Sequence, residues 1–304
     1  MISLRYHIVT IVAIFLALAI GLLGGGAFVQ PALQEELENQ TARLQRDNDA
    51  LREQIDDLRA ELAGLSAFAE AAAPYLTESR LAGTPVVLVT QTGVEEEVLA
   101  EAQAALANAG AQIVTTVSAT EALASDDPAT QEQLALMLGA PTAPADELAG
   151  LAAQAIAERL SPSGTPIGED ILTQLLSAGF LAPVGAGPSE TTLEEIGAPG
   201  QAVVVLSGGR GDQATIAPEA FSVPLVETLA GLGVPVAAGE SLLSDFEFVS
   251  VLRDGGADGT VTVDDLDQAM GGAALVLGLE ELLTTGRGGA YGVKDGAEPL
   301  PPLP

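Results

Sequence analysis

The sequence predicts an α/β protein in three parts: an N-terminal transmembrane helix, a coiled-coil stalk, and a mostly parallel sheet covered by helices. Three observations predict it. Residues 8–29 are apolar apart from Thr10, leucine recurs at every seventh residue from Leu37 to Leu65, and beyond Pro74 β-branched runs alternate with helical stretches.

The apolar run comes first. As a helix rising ~1.5 Å per residue it reaches roughly 33 Å, about the thickness of a bilayer core. A secretory leader has a shorter apolar core, about 7–15 residues, ending at a small-residue cleavage site. Here Gly24-Gly25-Gly26-Ala27-Phe28-Val29-Gln30-Pro31 offers a poor one. An uncleaved signal anchor over residues 8–29 is therefore the expectation, ahead of a cleaved leader or a buried core helix. Arg5 precedes the run, and Glu35, Glu36 and Glu38 follow it. Positive charge stays on the cytoplasmic side. Residues 1–7 are thus expected in the cytoplasm and the C-terminal domain outside, in a single-pass protein of the cell membrane or envelope.

Residues 32–73 carry the heptad. With Leu37, Leu44, Leu51, Leu58 and Leu65 at position d, position a holds Thr41, Asn48, Ile55, Leu62 and Ala69. A sustained 3.5-residue period buries its stripe only against another helix, which predicts a coiled coil. An asparagine at a central a position pairs with its twin in a parallel two-stranded coil and fixes register. Asp47 at g faces Arg52 at e of a parallel partner, an attractive pair. The predicted dimerisation residues are Leu37, Leu44, Asn48, Leu51, Ile55, Leu58, Leu62 and Leu65, and the predicted partner is a second copy of the chain. A lone amphipathic helix lying on the globular domain is the other reading of the stripe. Pro74 is expected to end the helix.

Residues 80–295 read as the α/β domain. TPVVLVTQTG at 84–93 is a strand, VEEEVLAEAQAALANAG at 94–110 a helix and AQIVTTV at 111–117 a strand, so the two strands pair in parallel through a crossover. ATQEQLALMLG, ADELAGLAAQAIAERL and GEDILTQLLSAG make the segment 119–200 mostly helical. QAVVVLSGG at 201–209, VPVAAGE at 234–240, FEFVSVL at 246–252 and TVTV at 260–263 read as strands, with a helix around PLVETLAGLG and a last one over 265–283. The Pro-rich tail, 296–304, is expected to be extended and disordered.

Composition narrows the function classes. The chain has 42 acidic and 11 basic side chains, a formal net charge of −31 spread along its length. No basic patch can neutralise phosphates, so nucleic acid is excluded as a partner, and anionic headgroups are disfavoured partners of the outer domain. The acidity reads as a solubility device or as a cation-collecting surface. Cysteine is absent, so the domain holds together by its core without disulfides. The single histidine, His7, sits at the membrane edge, which removes Ser-His-Asp and Cys-His chemistry from the outer domain. Among 42 acidic residues no carboxylate pair stands out, and the chain is expected not to be an enzyme.

Three short motifs have two readings each. SGGRGD at 207–212 follows a strand, where glycine N–H groups can approach an anion, but it lacks the spacing of a dinucleotide loop and also reads as a plain turn. DGGADGTVTVDD at 254–265 places Asp254, Asp258, Gly259 and Asp265 at positions 1, 5, 6 and 12 of a calcium loop, with Gly256 at position 3 where a ligand is wanted, and also reads as a tight turn. PLPPLP at the C-terminus reads as a groove-docking segment or as an unstructured end.

The opening MISLRYHIVTIVAIFLALAIGLLGG, the leucine-heptad stalk and the closing VTVDDLDQAMGGAALVLGLEELLTTGRGGAYGV together resemble the actinobacterial copper transporter family known as MctB. The resemblance covers essentially the full length and is strongest over 1–65 and 260–295. It implies an envelope protein with one N-terminal membrane segment, acting in copper transport or homeostasis as part of an assembly. It also implies a role in envelope biogenesis beside another membrane protein. The alternative is a non-catalytic dimeric scaffold presenting an α/β head to an envelope-biogenesis or division partner. Copper as a ligand follows from the resemblance alone. Copper(I) prefers thiolate and thioether ligands and copper(II) imidazole, whereas this chain offers His7, and Met137 and Met270 beyond the initiator. No copper-ligand residue is assigned.

Overall fold

The computed structural model describes residues 4–164, 170–185, 195–211, 216–256 and 259–302; for residues 4, 5 and 25–37 it describes the backbone alone. Contacts divide the chain into two units, Met1–Leu65 and Ser66–Pro304. The described residues of the first lie within helix α1, Leu4–Thr77. Its stretch Tyr6–Gly24 is long and apolar enough to cross a membrane, and none of it is buried. From Glu38 to Leu65 every side chain is exposed, the heptad leucines included.

The second unit contains β1 (Pro85–Gln91), α2 (Glu96–Asn108), β2 (Gln112–Ala119), α3 (Pro128–Met137), α4 (Leu148–Leu160), α5 (Ile171–Ser177) and β3 (Leu181–Pro183). It continues through β4 (Ala202–Leu206), α6 (Ser222–Gly231), β5 (Val236–Gly239), α7 (Phe248–Asp254), β6 (Val261–Val263), α8 (Ala269–Thr285) and β7 (Gly289–Tyr291). The strands form one sheet in the order β3-β2-β1-β4-β5-β6-β7. Every neighbouring pair is parallel except β2 with β3. The predicted fold class, α/β with a mostly parallel sheet, is the observed one.

Burial on both faces explains why these strands read as unbroken apolar runs. Val87, Val89, Val203 and Val205 join one core cluster with Ile156, Phe221 and Phe248. Val86, Leu88, Val204 and Leu206 join the other, with Val98, Leu106, Leu275 and Leu279. The two-residue alternation of a strand thus sorts one valine-rich run between two cores. Helix ends follow local chemistry. Asp127 caps α3, its Oδ2 accepting from the Thr130 N–H at 2.9 Å with Pro128 in the first turn.

Three sequence expectations are corrected. FEFVSVL reads as an alternating strand, but Phe248–Asp254 is helical because Phe248, Val249 and Leu252 fall on one buried helical face. Pro74 does not end α1, which continues to Thr77. Proline removes its own N–H bond and crowds the carbonyl four residues back, but the following turn is held by Asn108, whose Nδ2 donates to the Pro74 carbonyl at 3.0 Å and to Thr77 Oγ1 at 2.8 Å. The tail is ordered through Pro302: the Glu298 N–H donates to the Ala290 carbonyl at 2.9 Å, and Leu300 packs on the second core cluster. The two short strands β3 and β7 were missed.

Phe248, fully buried on α7, makes the helical assignment testable. Phe248→Ala is expected to destabilise the protein by about 3–5 kcal/mol in denaturant unfolding, the usual cost of an aromatic-sized hole.

Candidate functional site

Because β4, β5, β6 and β7 run parallel, their carboxyl ends line one edge of the sheet, where open α/β folds place ligands. The first residues beyond those strands are polar or glycine: Ser207 after β4, Glu240 after β5, Asp264 and Asp265 after β6, Gly292 after β7.

Glu240 and Asp264 are fully buried. Glu240 Oε1 accepts from Lys294 Nζ at 2.8 Å, and its Oε2 accepts from the Val249 N–H at 3.3 Å. Burial raises the Glu240 carboxyl above its ordinary range, against the pull of Lys294. Asp264 Oδ2 accepts from Arg253 Nη1 at 2.7 Å, while its Oδ1 accepts from the backbone N–H groups of Val293 at 2.8 Å and Lys294 at 3.1 Å. Arg253 spends its other nitrogens on Thr262 Oγ1 at 3.0 Å and the Tyr291 carbonyl at 2.9 Å. Gly292 has φ +125° and lies so close to the Asp264 carboxylate that no Cβ would fit. Asp267 lies alongside, its Oδ1 accepting from the Leu242 N–H at 2.8 Å. Asp265 is buried next to Asp264 and is pushed up to about 6, by burial first and then by the charges of Asp264 and Asp267.

A second cluster lies where the strand order reverses, between β1 and β4. Glu95 Oε1 accepts from Arg210 Nε at 3.1 Å and from Ser241 Oγ at 3.0 Å. This pair accounts for the arginine of SGGRGD. Gly209 donates its N–H to Ser244 Oγ, and α6 begins only at Ser222, so the loop is spent on turn contacts; Asp212 lies outside the described residues. Nor do the calcium-loop positions converge. Asp254 ends α7 in an exposed position, Asp265 is buried beyond the far end of β6, and Asp258 lies outside the described residues. Among the described residues no group of three or more His, Cys, Asp or Glu side chains is placed to hold a metal ion.

The predicted seam residues lie in the first unit. Leu44, Leu51, Ile55, Leu58, Leu62 and Leu65 are between 46% and 70% exposed, and Asn48 is exposed as well. The Leu37 side chain lies outside the described ones. Sequence reading passed over Glu240, Asp264 and Lys294, although each carboxylate directly follows an apolar run and Lys294 is the only lysine in the chain.

The family described as "Copper transport outer membrane protein, MctB" matches residues 1–302. The chain belongs to this family. The relatives of this MctB-family protein include the "Copper transporter MctB" of Mycobacterium tuberculosis (strain ATCC 25618 / H37Rv), 27% identical over 319 residues and 98% of each chain. The protein of the same name in Mycobacterium leprae (strain TN) is also 27% identical, over 322 residues and 98% of each chain. The MctB-family chain thus aligns through both its units, helix α1 included.

The buried pairs make a sharp prediction. Lys294→Met leaves Glu240 without its cation and is expected to cost about 3 kcal/mol in unfolding measurements at neutral pH, while adding Glu240→Gln restores much of the loss.

Proposed function

We propose that the chain acts in copper transport or homeostasis at the cell envelope, anchored by residues 8–29 with its N-terminus in the cytoplasm and the Ser66–Pro304 unit outside. The observation that carries this reading is the family match over residues 1–302, in which the relatives bear the name copper transporter. The apolar stretch Tyr6–Gly24 supports the anchor. Arg5 before it and the glutamates after it support the orientation.

Copper is cargo in this reading, handled through an assembly and without enzymatic chemistry by this chain. Met137 packs against the first core cluster, Met270 lies in the first turn of α8, and cysteine is absent, so the chain brings no cluster of soft ligands to copper. Loss of the protein is expected to change cellular copper content and copper tolerance, both restored by complementation. Unchanged content and tolerance in the deletion strain would sink the reading.

The exposed heptad favours a second reading alongside the first, in which the stalk pairs in parallel with another copy and presents the α/β head to an envelope-biogenesis or division partner. The supporting observations are the exposed d-position leucines and the complementary Asp47 and Arg52 at g and e. The cysteine-free sequence gives a direct test. Leu51→Cys is expected to form disulfide-linked dimers in membranes under mild oxidation, whereas Arg46→Cys, on the far face of the heptad, is not. Equal crosslinking at both positions, or none, would count against a leucine seam.

A further inference from the structure

The carboxyl edge of the sheet holds more buried carboxylates than it has cations to match. Arg253 is committed to Asp264 through a 2.7 Å ion pair and to Thr262 and Tyr291 through its other nitrogens. Lys294 is committed to Glu240 at 2.8 Å. Asp267 faces the same loop and spends Oδ1 on the Leu242 N–H. From α2, Glu101 comes up against Gly272 in the first turn of α8, adding another negative group on that side. Asp265 is left over. It is 4% exposed, and its Oδ1 has no hydrogen-bond partner among the described residues. A Cβ at Gly271, in the first turn of α8, would clash with the Asp265 carbonyl and carboxylate, so the helix backbone packs closely on this group.

We propose that Asp265 is a proton-binding site that couples mild acidity to the firmness of the junction between β6 and α8. Both cations described at this edge, Arg253 and Lys294, are committed to other carboxylates, so a proton is the cation that this enclosed carboxyl can take up without rearrangement. When ionised, the group is buried with its Oδ1 lacking a hydrogen-bond partner among the described residues, and the state in which the junction opens and admits water gains population. When neutral, that penalty vanishes and the junction closes. The direction follows from linkage. The closed form holds its proton up to about pH 6, whereas an opened, hydrated aspartate titrates near 3.9. Closure is therefore favoured in acid and weakens as pH rises from about 4 through 6, levelling off above. The junction matters because α8 supplies Ala274, Leu275, Val276 and Leu279 to the second core cluster.

Hydrogen exchange followed by mass spectrometry on the full-length protein in detergent tests this, with rates corrected for intrinsic pH dependence. Peptides covering 264–276 are expected to exchange about tenfold faster at pH 7.5 than at pH 5 in the wild type, the factor that the shifted carboxyl implies. In Asp265→Asn the same peptides should stay slow at both pH values. Because the variant could fold poorly, infrared spectroscopy of the wild type provides an independent measurement: one protonated carboxyl should disappear between pH 5 and 7. Flat wild-type exchange, an unchanged pH response in the variant, or no titrating carboxyl in that window would overturn the proposal.

Discussion

Burial of the parallel sheet on both faces is the constraint on which the rest of the head depends. Strand β4 runs Ala-Val-Val-Val-Leu with every side chain buried, and β5 and β6 are buried throughout. Polar residues are thereby pushed to the strand ends. At the carboxyl edge those ends are themselves covered, which places Glu240 and Asp264 out of water and obliges the fold to supply cations. In a chain with 42 acidic and 11 basic side chains, cations are scarce. The two that serve the edge come from α7 and from the segment after β7, so Arg253 and Lys294 tie an edge strand and the C-terminal segment into the sheet. Among the described residues, Asp265 Oδ1 is left without a hydrogen-bond partner.

The legible part of the fold was the part in which one local pattern decides the outcome. The runs at 84–93 and 201–209 are β-branched and end at glycine, and the helix between 94 and 110 has no competing reading, so strands and helix were found nearly to the residue. FEFVSVL failed because seven residues fit a period of two and a period of 3.6 about equally, and only the packing of Phe248, Val249 and Leu252 chooses. Strands β3 and β7 have three residues each and exist through their pairing with β2 and β6, information that no local window contains. Pro74 misled for a related reason. Its cost to the helix was legible, but the compensating side chain, Asn108, is 34 residues away.

The buried edge network was illegible on similar grounds. Glu240 and Lys294 are 54 residues apart, and acidic residues are too common here for any one to draw attention. A usable signal did exist: an acidic residue immediately after a short β-branched or apolar run, as in VAAGE and TVTVDD, follows a strand that is buried to its end. The heptad shows the opposite behaviour. It was plain in the sequence because it is periodic, and in the single chain Leu44, Leu51, Leu58 and Leu65 are exposed.

Copper sharpens the question of what an acidic, cysteine-free chain contributes to transport. Carboxylates are hard ligands that bind copper weakly and discriminate poorly among divalent ions, whereas selectivity for copper comes from sulfur and imidazole donors. A surface of net charge −31 raises the local concentration of all cations, and that effect decays within about 8 Å at physiological ionic strength. Attraction at this surface is therefore salt-sensitive and unselective. The copper role carried by the family therefore has no counterpart in the soft-donor content of this chain, which has no cysteine, one histidine and three methionines.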